Sequence, residues 1–209
     1  MPSTTTKRRS SRPSRSTTRQ RDAIAVLKED HREVEKLFKQ FESTTAPARR
    51  RTIMRSIVEA LSKHAAIEEE LLYPWAREYI EDVDDDVFEA LEEHRVVKWL
   101  LRELEHMDAD DERFEARATV MMEMVRHHVE EEESELFQYL RDVGTRSELI
   151  ELGEELEAAK RTAPTEPEID LTAGNGAGAG DLVSSAIGHA RDVGRDVVDR
   201  VSDITGVGG

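Results

Sequence analysis

Four histidines and two glutamates sit where a helical protein ordinarily places apolar side chains. His31, His64, His94 and His128 each fill a place in a run of apolar residues spaced three and four apart. Glu68 and Glu132 follow His64 and His128 by four residues. Side chains at i and i+4 project from one helix face, one turn apart, so each His/Glu pair offers two donors to the same volume. An ionised carboxylate in an apolar core costs several kcal/mol unless it is paired. No lysine or arginine shares these stripes near Glu68 or Glu132. A metal cation would satisfy both carboxylates and the imidazoles together. Four imidazoles and two carboxylates exceed the ligand set of one tetrahedral zinc. They suit two bridged transition-metal ions, with the glutamates bridging and water or an oxo group completing the shells. The chain has no cysteine, and nitrogen and oxygen ligation without thiolate fits non-haem iron, manganese less well.

These donors must be carried by helices. Between Asp22 and Val143 there is no glycine, and the only prolines are Pro47 and Pro74. A stretch rich in Glu, Leu, Arg and Ala and free of breakers reads as helix after helix. A first helix is expected from about Asp22 to Glu42, with Ile24, Leu27, His31, Val34, Phe38 and Phe41 along its buried seam. Pro47 opens a second in its first turn, where a missing N–H costs nothing. That helix continues to about Ile80 through Ile57, Leu61, His64, Glu68, Leu71 and Trp75, and Pro74 is expected to bend it. A third, from about Asp86 to Met107, carries Val87, Ala90, His94, Val97, Leu101 and Leu104. A fourth, after the turn at Asp108–Asp111 and on to Val143, carries Phe114, Ala118, Met121, Val125, His128, Glu132 and Tyr139. Short links between long helices make antiparallel neighbours. The expected fold is therefore all-α, an up-down-up-down antiparallel four-helix bundle over 22–143. At about 1.5 Å of rise per residue, the four histidines come to similar heights in such a bundle.

The outer segments read differently. Residues 1–21 hold seven Lys and Arg and no acid, a basic arm expected to be disordered. The remainder then carries 23 bases against 46 acids, a body too acidic for non-specific nucleic-acid binding or an anionic membrane surface. The arm lacks the apolar region of a signal peptide and no run spans a bilayer, so a cytoplasmic protein is expected. An additional helix is expected at 144–160, a flexible linker at 161–180, and an amphipathic helix and tail at 181–209. The mixed charges of that last helix favour docking on the bundle or on a protein partner over lipid.

The donor residues stand in a recognisable pattern: Asp30-His31, His64-AAI-Glu68-EELLYP, Glu93-His94, and His128-VEE-Glu132-ESELF. At these residues the chain resembles the hemerythrin-like, or HHE cation-binding, family. The resemblance implies a four-helix bundle around a non-haem di-iron site, with His31, His64, Glu68, His94, His128 and Glu132 as ligands. Oxygen-carrying hemerythrins have a further histidine one turn after the third-helix ligand and an aspartate in the last helix. Here those places hold Lys98 and Glu132, and the chain resembles the bacterial six-ligand type. The resemblance then favours binding or sensing of O2, nitric oxide or iron, or an enzyme acting on peroxide or nitric oxide, over reversible oxygen carriage.

The neighbouring residues have plainer expectations. His127 with Glu131 repeats the His/Glu spacing, but the phase of Met121 and Val125 favours His128. His106 and His189 are expected at the surface. Glu69, Glu70, Glu130, Glu131 and Glu133 are expected on a solvated acidic face, and Tyr73, Trp75 and Tyr139 in bundle packing.

Overall fold

The computed structural model describes residues 20–169. The basic arm up to residue 19, the linker from residue 170 and the C-terminal amphipathic helix lie outside the described residues. Within them every element of secondary structure is helical, arranged as four long rods and a fifth, shorter helix. The first rod is α1 (Ala23–Glu42), opened by Asp22, whose carboxylate accepts the Ala25 N–H at 2.8 Å. The second is continuous through α2 (Pro47–Ile67), a π-helical turn at Glu68–Leu72 and α3 (Tyr73–Tyr79). The third is α4 (Asp84–His106), with Asp84, Asp85 and Asp86 in the first turn, where they favour the helix dipole. The fourth repeats the design of the second: α5 (Phe114–Glu131), a π-helical turn at Glu132–Leu136 and α6 (Phe137–Val143). The rods alternate in direction, as the short links require. No helix of the described residues is long and apolar enough to cross a membrane.

The two π turns correct the sequence expectation. An unbroken seam would bury Leu71, Trp75 and Tyr139. Instead Leu72 and Ala76 are buried while Leu71 and Trp75 are half-exposed, and Leu140 is buried while Tyr139 is 40 % exposed. In each rod the buried positions move on by one residue. A π turn holds one extra residue, and one residue turns a helix by about 100°. Pro74 is not the cause, because the fourth rod makes the same turn without a proline. Each π turn begins at the glutamate of a His/Glu pair, Glu68 or Glu132.

The apolar core falls into two parts. One, toward the α1–α2 link, includes Phe38, Phe41, Ile57, Leu101, Phe114 and Met121. The other includes Leu27, Ile67, Leu72, Tyr73, Phe137 and Leu140. The fifth helix, α7 (Arg146–Lys160), begins at a capping box between Thr145 and Glu148. It closes the second part with Leu149, Leu152 and Leu156. Gly153 lets it approach the start of α1. A Cβ there would stand 2.5 Å from the Arg21 carbonyl oxygen and 2.8 Å from the Ala23 nitrogen.

Candidate metal centre

Between the two apolar parts lies one polar layer. His31, His64, His94, His128, Glu68 and Glu132 all reach it, each 6 % exposed or less. The six candidate ligands thus come from four rods to one level. His128, not His127, turns inward; His127 is half-buried beside Glu131 at 3.2 Å. His106 is exposed, its Nδ1 hydrogen-bonded to the Arg102 carbonyl.

The imidazoles meet in pairs through Nε2. His31 and His64 are 3.2 Å apart at these atoms, and so are His94 and His128. Glu68 stands between the pairs: Oε1 is 3.1 Å from His64 Nε2, and Oε2 is 3.4 Å from His94 Nε2. Glu132 Oε2 lies 3.2 Å from His31 Nε2. Two donor groups result, His31/His64/Glu68/Glu132 and Glu68/His94/His128, each with its atoms within 4.8 Å of one another. Glu68 belongs to both. All four oxygens of Glu68 and Glu132 are buried without a hydrogen-bond partner. Buried carboxylate oxygens left unpaired are costly, and these converge on imidazole lone pairs. The donor set fits metal ions.

The outward nitrogens are held as well. His31 Nδ1 donates to Glu133 at 2.9 Å, His128 Nδ1 to Glu93 at 2.8 Å, and His94 Nδ1 to Glu69 at 3.0 Å. Asp30 lies 3.7 Å from His64 Nδ1. Three of these contacts are hydrogen bonds and the fourth, Asp30 to His64, is a longer approach; together they run in a ring from first rod to fourth, fourth to third, third to second and second to first. A carboxylate at Nδ1 fixes the ring hydrogen there and leaves Nε2 free to bind a cation. The sequence reading missed this ring, and it placed Glu69 and Glu133 in solvent. The available signal was position: each carboxylate is the immediate chain neighbour of a candidate ligand. Lysines neutralise three of the four. Lys28 pairs with Glu133, Lys98 with both oxygens of Glu69 at 2.6 Å, and Lys160 of α7 with Asp30.

Burial and neighbouring charges shift these groups in opposite directions. Burial pushes His64 down, and it brings His94 down to about 4 despite the Glu69 hydrogen bond. His128 is raised: burial opposes its charge, but Glu93 and Glu132 outweigh burial. Burial and the adjacent Glu132 drive Glu68 well above the carboxylate range. Burial opposes ionisation of Glu132 too, but the His31 ring 3.2 Å away and the other nearby imidazoles bring it down to about 2. Two carboxylates this close oppose each other's ionisation, and the upward shift falls on Glu68.

Two further features bear on chemistry. Tyr73, expected only to fill space, is 2 % exposed and puts its hydroxyl 3.3 Å from His94 Nε2. Beside the histidines lies a cavity of about 30 Å³, walled by Val34, Leu61, Val97, Leu101 and Val125. Lys98 also borders it.

The geometry has counterparts among known proteins. The model of the hemerythrin HHE cation-binding domain matches residues 22–140. A DNA nickase of Nostoc sp. is 29 % identical over 135 residues, 65 % of this chain but only 38 % of that protein. An uncharacterized hemerythrin-like protein of Schizosaccharomyces pombe is 25 % identical over 142 residues, 68 % of this chain and 70 % of its own. Among solved structures, a hemerythrin HHE cation-binding domain-containing protein of Mycobacterium kansasii, an Rv2633c homolog, is similar with a TM-score of 0.59 at 26 % identity. That similarity covers 68 % of this chain and 86 % of the other. With a family model covering more than half its length and a buried His/Glu layer across four antiparallel rods, this chain belongs to the hemerythrin HHE cation-binding domain family.

Proposed function

We propose that the chain is a non-haem di-iron protein. His31, His64 and Glu132 would hold one ion, His94 and His128 the other, and Glu68 would span both; manganese suits the same donors. The observation that supports this most is the set of four unpartnered carboxylate oxygens inside the bundle, three of them within 3.4 Å of a histidine Nε2. Two iron ions supply a redox centre able to take up a small molecule. The chain's own residues do the rest. The carboxylate ring orients the imidazoles, and the apolar side chains beside them exclude bulk water. A space of about 30 Å³ suits a ligand no larger than a diatomic molecule or peroxide. The proposed role is binding or sensing of O2 or nitric oxide, or a response to iron.

A second reading rests on Tyr73. Its hydroxyl beside His94 is a proton-bearing group at the edge of the layer, as decomposition of peroxide or reduction of nitric oxide would use. Elemental analysis of the untagged protein, followed by stopped-flow mixing of the reduced form, tests both. Two metal ions per chain and an absorption change reversed by removing O2 support binding. Multiple-turnover peroxide loss that His64→Ala abolishes supports the enzyme. Fewer than about one metal per chain after anaerobic reconstitution with ferrous iron contradicts both.

A further inference from the structure

The carboxylate ring is uneven, and the unevenness marks one face. Glu133, Glu69 and Asp30 each carry a lysine partner, but Glu93 pairs only with His128. Beside Glu93, between α4 and the fourth rod, a cavity of about 80 Å³ opens. Its wall carries Asp86, Glu89, Glu93, Glu131 and Glu135. Among the described residues none of these five forms an ion pair with a lysine or arginine. Glu93, His127 and Glu131 bring donor atoms within 4.8 Å of one another on this face.

The same cavity is bordered from within by donors of the central layer. Glu132 lines it, 5 % exposed, with both carboxylate oxygens unpartnered, and buried His128 lines it too. The cavity thus connects a surface cluster to two donors of the central layer. Glu93 belongs to both, holding His128 Nδ1 and standing in the surface group.

We propose that this face is a loading port for divalent cations: Glu93, His127 and Glu131 take up the ion, which then passes to His128 and Glu132. The inference rests on the two-metal reading above. At the approaches beside Lys28, Lys98 and Lys160 the carboxylates are neutralised by ammonium groups and draw a cation less. The Glu93 face presents uncompensated negative charge, which raises local cation concentration and capture rate. The cluster is a relay and not a store, because His127 and Glu131 are half-exposed and the deeper layer offers more donors.

The test uses the full chain, stripped of metal by a chelator and mixed in a stopped-flow instrument with cobalt(II) alone. Visible absorption reports capture, and final stoichiometry is measured separately. The variant E89Q/E131Q/E135Q is expected to bind cobalt about tenfold more slowly at low salt, with a flatter dependence on ionic strength. Final uptake remains two ions per chain. Glu131→Lys alone slows capture at least as much. A control with three exposed acids neutralised elsewhere, E112Q/E151Q/E155Q, keeps the wild-type rate. Loading of E89Q/E131Q/E135Q within twofold of wild type, or equal slowing in the control, overturns the port while leaving the two-metal reading intact. A wild-type chain that takes up no cobalt overturns the two-metal reading and the port with it.

Discussion

Glu69 and His94 belong to different rods, yet Glu69 receives the Nδ1 hydrogen of His94 at 3.0 Å while its chain neighbour Glu68 faces Nε2 of the same ring at 3.4 Å. Consecutive glutamates therefore address both nitrogens of one imidazole. The fourth rod does the same to His31, with Glu132 at Nε2 and Glu133 at Nδ1. The Glu-Glu step after each His/Glu pair is a clamp on the histidine of a neighbouring rod.

Removing the outer half of a clamp should loosen metal without removing a ligand. Glu69→Ala and Glu133→Ala are each expected to weaken metal retention about 10- to 100-fold, the usual cost of losing a carboxylate behind a histidine ligand. Competition against a chelator measures this. Retention equal to wild type would show that the clamps are packing only.

Removing a ligand should change stoichiometry. His64→Ala is expected to hold at most one metal ion per chain by elemental analysis. Its melting temperature should no longer rise on adding ferrous iron under anaerobic conditions. An unchanged count of two would exclude His64 from the centre.

The metal-free chain should weaken in acid. His94 is held at about 4 in the folded chain against an ordinary 6.5, so the unfolded chain binds more protons between those values. Stability is then lost as pH falls from about 6.5 to about 4, by about 3 kcal/mol from this group. Glu132 adds a loss below 4.5, where its depressed value ceases to help. Glu68 runs the other way. It keeps its proton on folding, so metal-free stability also declines as pH rises above 4.5, and a bound cation removes that cost. Thermal unfolding with and without metal should show the metal-induced gain growing from pH 5 to pH 7.5. A gain independent of pH would contradict carboxylate and imidazole ligation.

The junction of α7 with α1 should tolerate no side chain. Gly153→Ala is expected to destabilise the bundle by about 1–3 kcal/mol, because the new methyl meets backbone atoms that cannot yield cheaply. Urea unfolding gives the value. A change below about 0.5 kcal/mol would mean that α7 can shift freely.

Much of this was legible in the sequence because periodicity carries it. Histidines in apolar stripes at four separated places specified both the rods and the layer. What periodicity could not carry was the change of phase at the π turns, which buries Leu72 and Leu140 where Leu71, Trp75 and Tyr139 were expected. A constant repeat cannot announce one extra residue in a turn. Nor could it distinguish Glu69 and Glu133 from solvated acids, because their partners lie on other rods. Tyr73 escaped for the first reason, since only the shifted phase turns its hydroxyl to His94.

Six side chains from four rods are proposed to hold two ions, with Glu68 common to both donor groups. Anomalous diffraction at the iron edge, from crystals of the iron-loaded protein, tests it directly. Two iron peaks are expected in the polar layer, one beside His31 and His64 and one beside His94 and His128, with a Glu68 oxygen ligating each. A single peak, or two peaks away from Glu68, would contradict it.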